Sequence, residues 1–305
     1  MPTWNGAAFL DECLLSVRAQ SYSRIESIVV DDGSTDDTPA LVRDRYPEVR
    51  LLTLAHNCGF ARAANEGMRA ARGSVVALLN NDAVADTNWV AELVAALNHH
   101  PRAGSVASKI LLREPQGMIN GAGDVFLRSG VPSNRGAWER DSGQYEEEIE
   151  VFGASGGAVG YRQSMLEQVG LFDERFFMYC EDVDLAFRSQ IAGYRCVYSP
   201  RAIVRHRLSA TGGGTLASYY SARNIVWVLA RDVPWSAWRR FWPRIIAEQA
   251  RRASIALYHS REPAARAQLR GMLVGLFTAR RLARERPRIF TQQSVPDTYL
   301  LSVLT

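Results

Sequence analysis

The chain has 305 residues, 47% of them apolar and 22% charged, with a formal net charge of +4. That is enough for a real core in one large domain or a domain with an appendage, which excludes a disordered or fibrous chain. Cys13, Cys58, Cys180 and Cys196 form no CxxC pair and no metal spacing, excluding a disulfide framework and pointing to free thiols in a reducing compartment. The opening Met1-Pro2-Thr3-Trp4 lacks the regions of a signal peptide, and no run reaches about eighteen apolar residues, so the sequence predicts a cytoplasmic protein that does not span a membrane.

Through residue 115 or so, helical and extended segments alternate in the rhythm of a parallel βα sheet. The spacing predicts helices over 9–19, 38–46, 61–71 and 88–98, and strands over 27–30, 49–54, 75–79 and 105–111. The strand at 27–30 runs straight into Asp31-Asp32-Gly33, so two carboxylates emerge where the strand ends, the edge at which open α/β sheets bind ligands. Gly33 permits the turn, and Ser34 or Thr35 can cap the next helix. The strand at 75–79 ends in Asn80-Asn81-Asp82, on the same sheet edge by the βα count. Two such ends can hold a divalent cation and a diphosphate, and Asn81 and Asp82 can equally form a turn that caps the next helix. From 113 to 150 the pattern loosens into a Gly-rich, acidic stretch of loops and short strands.

The small-residue run Gly153-Ala154-Ser155-Gly156-Gly157-Ala158 lets backbone approach a ligand closely, but it lacks the GxGxxG spacing of a dinucleotide site. After it, Glu181, Asp182 and Asp184 fall among Phe176, Tyr179 and Phe187 at the start of a helix. Helix capping explains one acid there and three less well, and a carboxylate held in a cleft can act as a general base.

The ordered series PTWNG, VVDDGSTDDT, HNCGFARAANEG, LLNNDA, GASGGAVGYR, FDERFFMYCEDVDLAFR and Ala202-Ile203-Val204-Arg205-His206 resembles family 2 glycosyltransferases of the GT-A fold, nearest their rhamnosyltransferase-like bacterial branch. The resemblance covers roughly residues 2–230 and implies an α/β GT-A fold, with a mixed, mainly parallel sheet flanked by helices. The catalytic domain is expected over 1–215 and a helical, basic, amphipathic extension over 216–305. In that family the residue matching Asp32 accepts a hydrogen bond from the pyrimidine of the sugar nucleotide, the aromatic matching Trp4 lies against the base, and Asp31 supports the pair. Asn57, Asn65 and Asn81 fall in segments that border the nucleotide. Asp82 matches the last acid of the DxD-type metal motif, with Asn80 where many relatives have its first acid, and His206 matches a histidine that often joins the metal. Asp182 matches the base that deprotonates the acceptor hydroxyl, Glu181 is expected to orient it or the acceptor, and Asp184, Gly156 and Gly157 lie on the acceptor side.

The resemblance therefore implies an inverting transferase that uses Mg or Mn, takes a dTDP- or UDP-sugar with rhamnose as the sugar of that branch, and serves a cell-wall or surface glycan or a lipid-linked acceptor. Rival readings are a polyprenyl-phosphate sugar transferase and a nonenzymatic nucleotide-sugar-binding protein of the same fold. A nucleic-acid partner is disfavoured because the strand-end acids repel phosphate. Trp238, Phe241, Trp242, Ile245 and Ile246 recur at helical spacing among arginines, as do apolar residues over 264–284. That pattern suits a helix lying on the inner leaflet of the cell membrane, or one packed on the catalytic domain with a solvated basic face. Relatives also carry an apolar strand just before the PTWNG segment, central in their sheet. The first strand is thus expected to be missing here, with either the natural start lying upstream, which is favoured, or another segment filling the gap; in the first case an amino-terminal extension of roughly 5 or 6 residues should add stability.

Overall fold

The computed structural model describes residues 1–207 and 213–305. The predicted alternation is present: β1 (Pro2–Thr3), α1 (Ala7–Arg18), β2 (Ile28–Asp31), α2 (Thr38–Arg45) and β3 (Arg50–Thr53) build a parallel sheet ordered β1-β2-β3. β2 is buried along its whole length, as a run of β-branched residues covered by helices requires. α3 (Phe60–Ala70) packs on this sheet through Ala63, which shares a buried cluster with Ile28 and Val30, while Ala61, Ala64 and Met68, spaced for one helical face, join Val76 and Leu78 in another cluster.

A second sheet follows from β4 (Val75–Leu79), β5 (Ala83–Ala85), α4 (Trp89–His99), β6 (Ala103–Leu112), β7 (Ile119–Ala122), β8 (Asp124–Phe126), β9 (Pro132–Asn134), β10 (Ile149–Val151), β11 (Ala158–Arg162), α5 (Gln163–Val169), α6 (Glu181–Ile191) and β12 (Arg195–His206). Its order is β10-β12-β6-β11-β4, with β5 on β12 and β7 on β6, while β8 and β9 pair separately. β6 and β12 are parallel, and the other pairs of this sheet are antiparallel because β11 returns between β4 and β6. The pairing is mixed, as expected, but not mainly parallel: three of the strand pairs named here are parallel and six antiparallel. The acidic stretch beyond β7 is pinned from below by the chain's lone lysine: Lys109 is 3% exposed and reaches Glu146 at 2.6 Å and Asp141 at 2.9 Å.

Among the described residues the two sheets do not join. β1 contributes two residues, Pro2 opposite Val30 and Thr3 opposite Asp31, and no ladder bond reaches from it to β4, whose pairing is with β11. Between β2 and β4 lies a slot of about 350 Å³, lined by Met1, Ile28, Val30, Met68, Val76 and Leu93 among others. The Met1 ammonium donates to Ile28 O at 2.9 Å in this slot, and burial pushes its pKa down to about 6. The expected missing strand is thus a two-residue stub with an apolar slot beside it.

α7 (Gly214–Arg231), α8 (Trp235–Tyr258) and α9 (Pro263–Ala283) complete the chain's long helices. α7 and α9 pack closely because Gly271 and Gly275 face the α7 backbone: a Cβ at Gly275 would lie 2.9 Å from Arg223 O. Phe241, Ile245 and Leu282 share a buried cluster with Phe126, Phe152 and Phe187. Trp235, Trp242, Ile246, Leu276 and Phe277 remain exposed. No helix among the described residues is long and apolar enough to cross a membrane.

Candidate active site

The ends of β2 and β4 open into one cleft of about 820 Å³, and its walls gather side chains from every layer of the fold. Asp32 follows β2, and its two carboxylate oxygens accept from the backbone N–H groups of Cys58 at 2.7 Å and Gly59 at 2.8 Å. That locks the loop before α3 against the strand end. Gly59 holds φ at 91°, and a Cβ there would stand 2.5 Å from the Phe177 ring, so glycine is required by conformation and by space. Burial raises the Asp32 pKa, and the two N–H donors oppose that rise. Trp4, 41% exposed, and Asn57 line the cleft beside Asp32. Asn81 lines it too, and its amide donates to Thr3 Oγ1 at 2.8 Å, tying the β4 end to the β1 stub.

Asp82 and His206 meet on the opposite side, Oδ1 to Nε2 at 3.0 Å, because β12 ends beside the turn that follows β4. One carboxylate and one imidazole suit a hard or borderline cation that takes its remaining ligands from substrate phosphates and water. No group of three or more His, Cys, Asp or Glu side chains is placed to hold a metal among the described residues, and neutral Asn80 lines the cleft where a further acid would stand. The donor set therefore fits a cation shared with substrate and not a closed structural site.

The third element is the start of α6. Phe177, Tyr179 and Cys180 all have φ near +65°, a left-handed backbone that residues with a Cβ adopt at a cost. Fully buried Asn224 on α7 holds them there, its Nδ2 lying 3.0, 2.9 and 2.7 Å from the carbonyls of Phe176, Met178 and Tyr179. The Phe177 ring stacks on Tyr220 with centroids 4.9 Å apart. This turn aims Glu181 and Asp182 into the cleft. Asp182 Oδ2 accepts from Gly156 N–H at 2.9 Å and Oδ1 from Val183 N–H at 2.8 Å, leaving outer lone pairs for an acceptor proton. Burial raises the Asp182 pKa and raises that of Glu181 further, with Asp182 adding to it, and Glu181 Oε2 has no partner among the described residues.

Several expected site residues lie elsewhere. Asp31 is fully buried behind the strand end, where Oδ1 accepts from Ser34 N–H at 3.3 Å, so it shapes the turn and does not face the cleft. Asn65 is 1% exposed, donates to Phe172 O at 2.9 Å and accepts from Phe172 N at 3.0 Å, which makes it a brace between α3 and the segment before α6. Asp184 is 0% exposed, held by Arg188 at 2.7 Å and by Arg231, and does not line the cleft. Gly156 and Gly157 do line the cleft, Gly156 through its N–H to Asp182. Asp124 and Arg252 carry no site expectation from the sequence, whereas Asn224, with Tyr219, Tyr220 and Arg223, resembles the family's helix after the catalytic domain, which could close over the site or face the acceptor. Asp124 lines the cleft, with its pKa raised well above the carboxylate range by burial and then by Asp182. Nothing in the spacing marks Asp124 or Arg252, whereas Asn224 stands alone before the apolar run Ile225-Val226-Trp227-Val228-Leu229 and carried a readable signal.

The open α/β cleft thus gathers a strand-end acid, a carboxylate–imidazole pair and a pair of buried acids from separate elements of the fold. Comparison with known proteins gives the fold its family. The profile of glycosyl transferase family 2 matches residues 1–170. An N-acetylglucosaminyl-diphospho-decaprenol L-rhamnosyltransferase of Mycobacterium tuberculosis is 31% identical over 246 residues, covering 73% of this chain and 79% of that protein. Among solved structures, GalNAc-T7 with UDP, GalNAc and Mn2+ superposes with a TM-score of 0.62 at 18% identity; the match covers 75% of this chain and 47% of that one. The mannosyltransferase PcManGT from Pyrobaculum calidifontis, with GDP-Man and Mn2+, gives 0.57 at 22% identity, covering 99% and 84%. The chain belongs to glycosyltransferase family 2, its fold is GT-A, and it is a glycosyltransferase of rhamnosyltransferase-like type.

Proposed function

We propose that this enzyme moves a sugar, with inversion, from a pyrimidine nucleoside diphosphate to a hydroxyl of a cell-wall or surface glycan or its lipid-linked precursor. The observation that carries the reading is the placement of Asp182, buried, oriented by Gly156 N–H and raised in pKa, in the same cleft as Asp32 and the Asp82–His206 pair. Trp4 and Asp32 hold the base, with Asn57 and Asn81 beside them. Asp82 and His206 hold a divalent cation, Mg or Mn, which when bound neutralises charge on the departing diphosphate. Asp182 takes the acceptor proton as the hydroxyl attacks the anomeric carbon from the face opposite the leaving group, so one displacement inverts that centre. Glu181 stands beside Asp182 to orient the acceptor. Rhamnose as the sugar draws on the activity named for the mycobacterial relative, and Mn2+ beside nucleotide in two structural relatives supports the cation.

The exposed Trp235, Trp242, Ile246, Leu276 and Phe277, set among arginines on α8 and α9, suit peripheral attachment to an anionic inner leaflet. Screening dTDP-rhamnose, UDP-sugars and GDP-mannose for Mn2+-dependent thermal stabilisation tests the donor assignment. Stabilisation by a pyrimidine diphosphate sugar is expected, and failure of every pyrimidine diphosphate to stabilise the protein would overturn the role given to Asp32.

A further inference from the structure

Five carboxylates face the cleft, Asp32, Asp82, Asp124, Glu181 and Asp182, and among its described lining residues the one permanent cation is Arg252. Arg252 comes from α8, outside the residues matched by the family profile. Its side chain makes no hydrogen bond or ion pair with any described residue. Its helix neighbour Glu248 is engaged by Arg251 through two contacts of 2.7 Å, and Arg252 is tied down only through its backbone, where O accepts from Gln268 at 3.2 Å. Burial pulls the guanidinium pKa down, with Glu248 and Cys180 opposing. A half-buried guanidinium with unsatisfied donors is costly unless a ligand supplies the acceptor. The neighbouring wall is apolar, formed by Leu216, Tyr220 and Ile225 of α7 with Val183, and Leu216 opens to the outside at 44% exposure.

We propose that Arg252 binds a phosphate of the acceptor, taken to be a diphosphate-linked lipid of the kind named for the mycobacterial relative, and that the lipid chain leaves over Leu216. This rests on the glycosyl-transfer reading above. The donor's diphosphate is served by the cation pair Asp82–His206, at the ends of β4 and β12. The α7–α8 wall brings a planar, five-donor fork suited to bidentate capture of a second phosphate, beside an apolar lip suited to an aliphatic chain.

The test uses the full chain saturated with UDP and Mn2+, titrated by calorimetry with farnesyl diphosphate, inorganic pyrophosphate and farnesol. Farnesyl diphosphate should bind more tightly than either comparator. Arg252→Ala should weaken it about tenfold to a hundredfold and Arg252→Lys, which keeps the charge but loses the fork, by an intermediate amount. UDP affinity should stay within about twofold in both variants. Weakening of UDP to the same extent would place Arg252 on the donor diphosphate and overturn the proposal, as would farnesyl diphosphate binding unchanged by either substitution. Pyrophosphate binding as tightly as farnesyl diphosphate would overturn the lipid acceptor in favour of a free anion. Should the alanine variant not fold, the lysine variant decides by the same criteria. Absence of UDP binding by the unmutated protein would sink the glycosyl-transfer reading itself, a result distinguishable because it appears before any substitution.

Discussion

Asn224→Ala probes how the catalytic turn is held. The side chain is fully buried, and its Nδ2 lies 2.7 to 3.0 Å from three carbonyl oxygens of a segment with three non-glycine residues at positive φ. An amide nitrogen has two hydrogens, so the substitution strands two carbonyls, at about 1–3 kcal/mol each, or about 2–6 kcal/mol together. The strain of each left-handed residue, of order 1–3 kcal/mol, is then no longer opposed, and the turn relaxes toward ordinary backbone. Displacing Glu181 and Asp182 by an ångström costs on the order of a hundredfold in turnover. The expected result is a fall in melting temperature of about 5–15 °C, turnover down about a hundredfold, and UDP affinity little changed, since Asp32 and Asp82 stand on other elements. Asn224→Asp, which keeps the shape but turns the donor into an acceptor facing carbonyls, should be at least as damaging. Parent-like melting and turnover in both variants would refute the reasoning.

Asp182→Asn should lower turnover about 10²–10⁴-fold while UDP binding persists, and a variant of undiminished rate would remove Asp182 as base. Because burial raises the Asp182 pKa, the acid limb of the kcat/KM profile should lie above the ordinary carboxylate value. The same group holds its proton more tightly folded than unfolded, so its contribution to stability is present at low pH and lost as pH rises through the folded pKa; melting curves of Asp182→Asn against pH should be flatter. Asp82→Asn should raise the Mn2+ concentration needed for half-maximal stabilisation by UDP at least about tenfold, and an unchanged Mn2+ requirement would move the cation elsewhere. Lengthening the amino terminus by roughly 5 or 6 β-branched residues should raise the melting temperature by filling the slot. With 350 Å³ available at about 24 cal/mol per Å³, the ceiling is about 8 kcal/mol, and a parent-like melting temperature would show that the slot does not accept a strand.

What was legible in the sequence was local. An apolar strand running into Asp32 or Asp82 declares its own end, and Glu181-Asp182 opening a helix among aromatics declares a site, because cause and consequence lie within a few residues. Asp184 misled because its partner Arg231 is 47 residues away; the same helix turn that presents Asp182 to the cleft buries Asp184 against that guanidinium. Asn65 misled in the same way, its partner Phe172 being 107 residues distant. Asp124 and Arg252 reach the cleft only through the folding of the insertion beyond β7 and the docking of α8, which no periodicity encodes. The antiparallel return of β11 between β4 and β6 is likewise a choice of sheet order, invisible to a count of alternating elements.

The slot between β2 and β4 has a mechanical consequence. Asp32 hangs on one sheet and the Asp82–His206 pair on the other, and among the described residues no ladder of hydrogen bonds spans them. A nucleoside diphosphate touching both sides acts as a tie-bar across a compliant seam, so part of its binding free energy goes into fixing the width of the cleft. Void volume is also what pressure acts on. The free enzyme should therefore unfold at modest pressure and the UDP-bound enzyme at distinctly higher pressure, a difference followed by tryptophan fluorescence in a pressure cell. Identical midpoints would mean that the two sheets are already locked together by their helices.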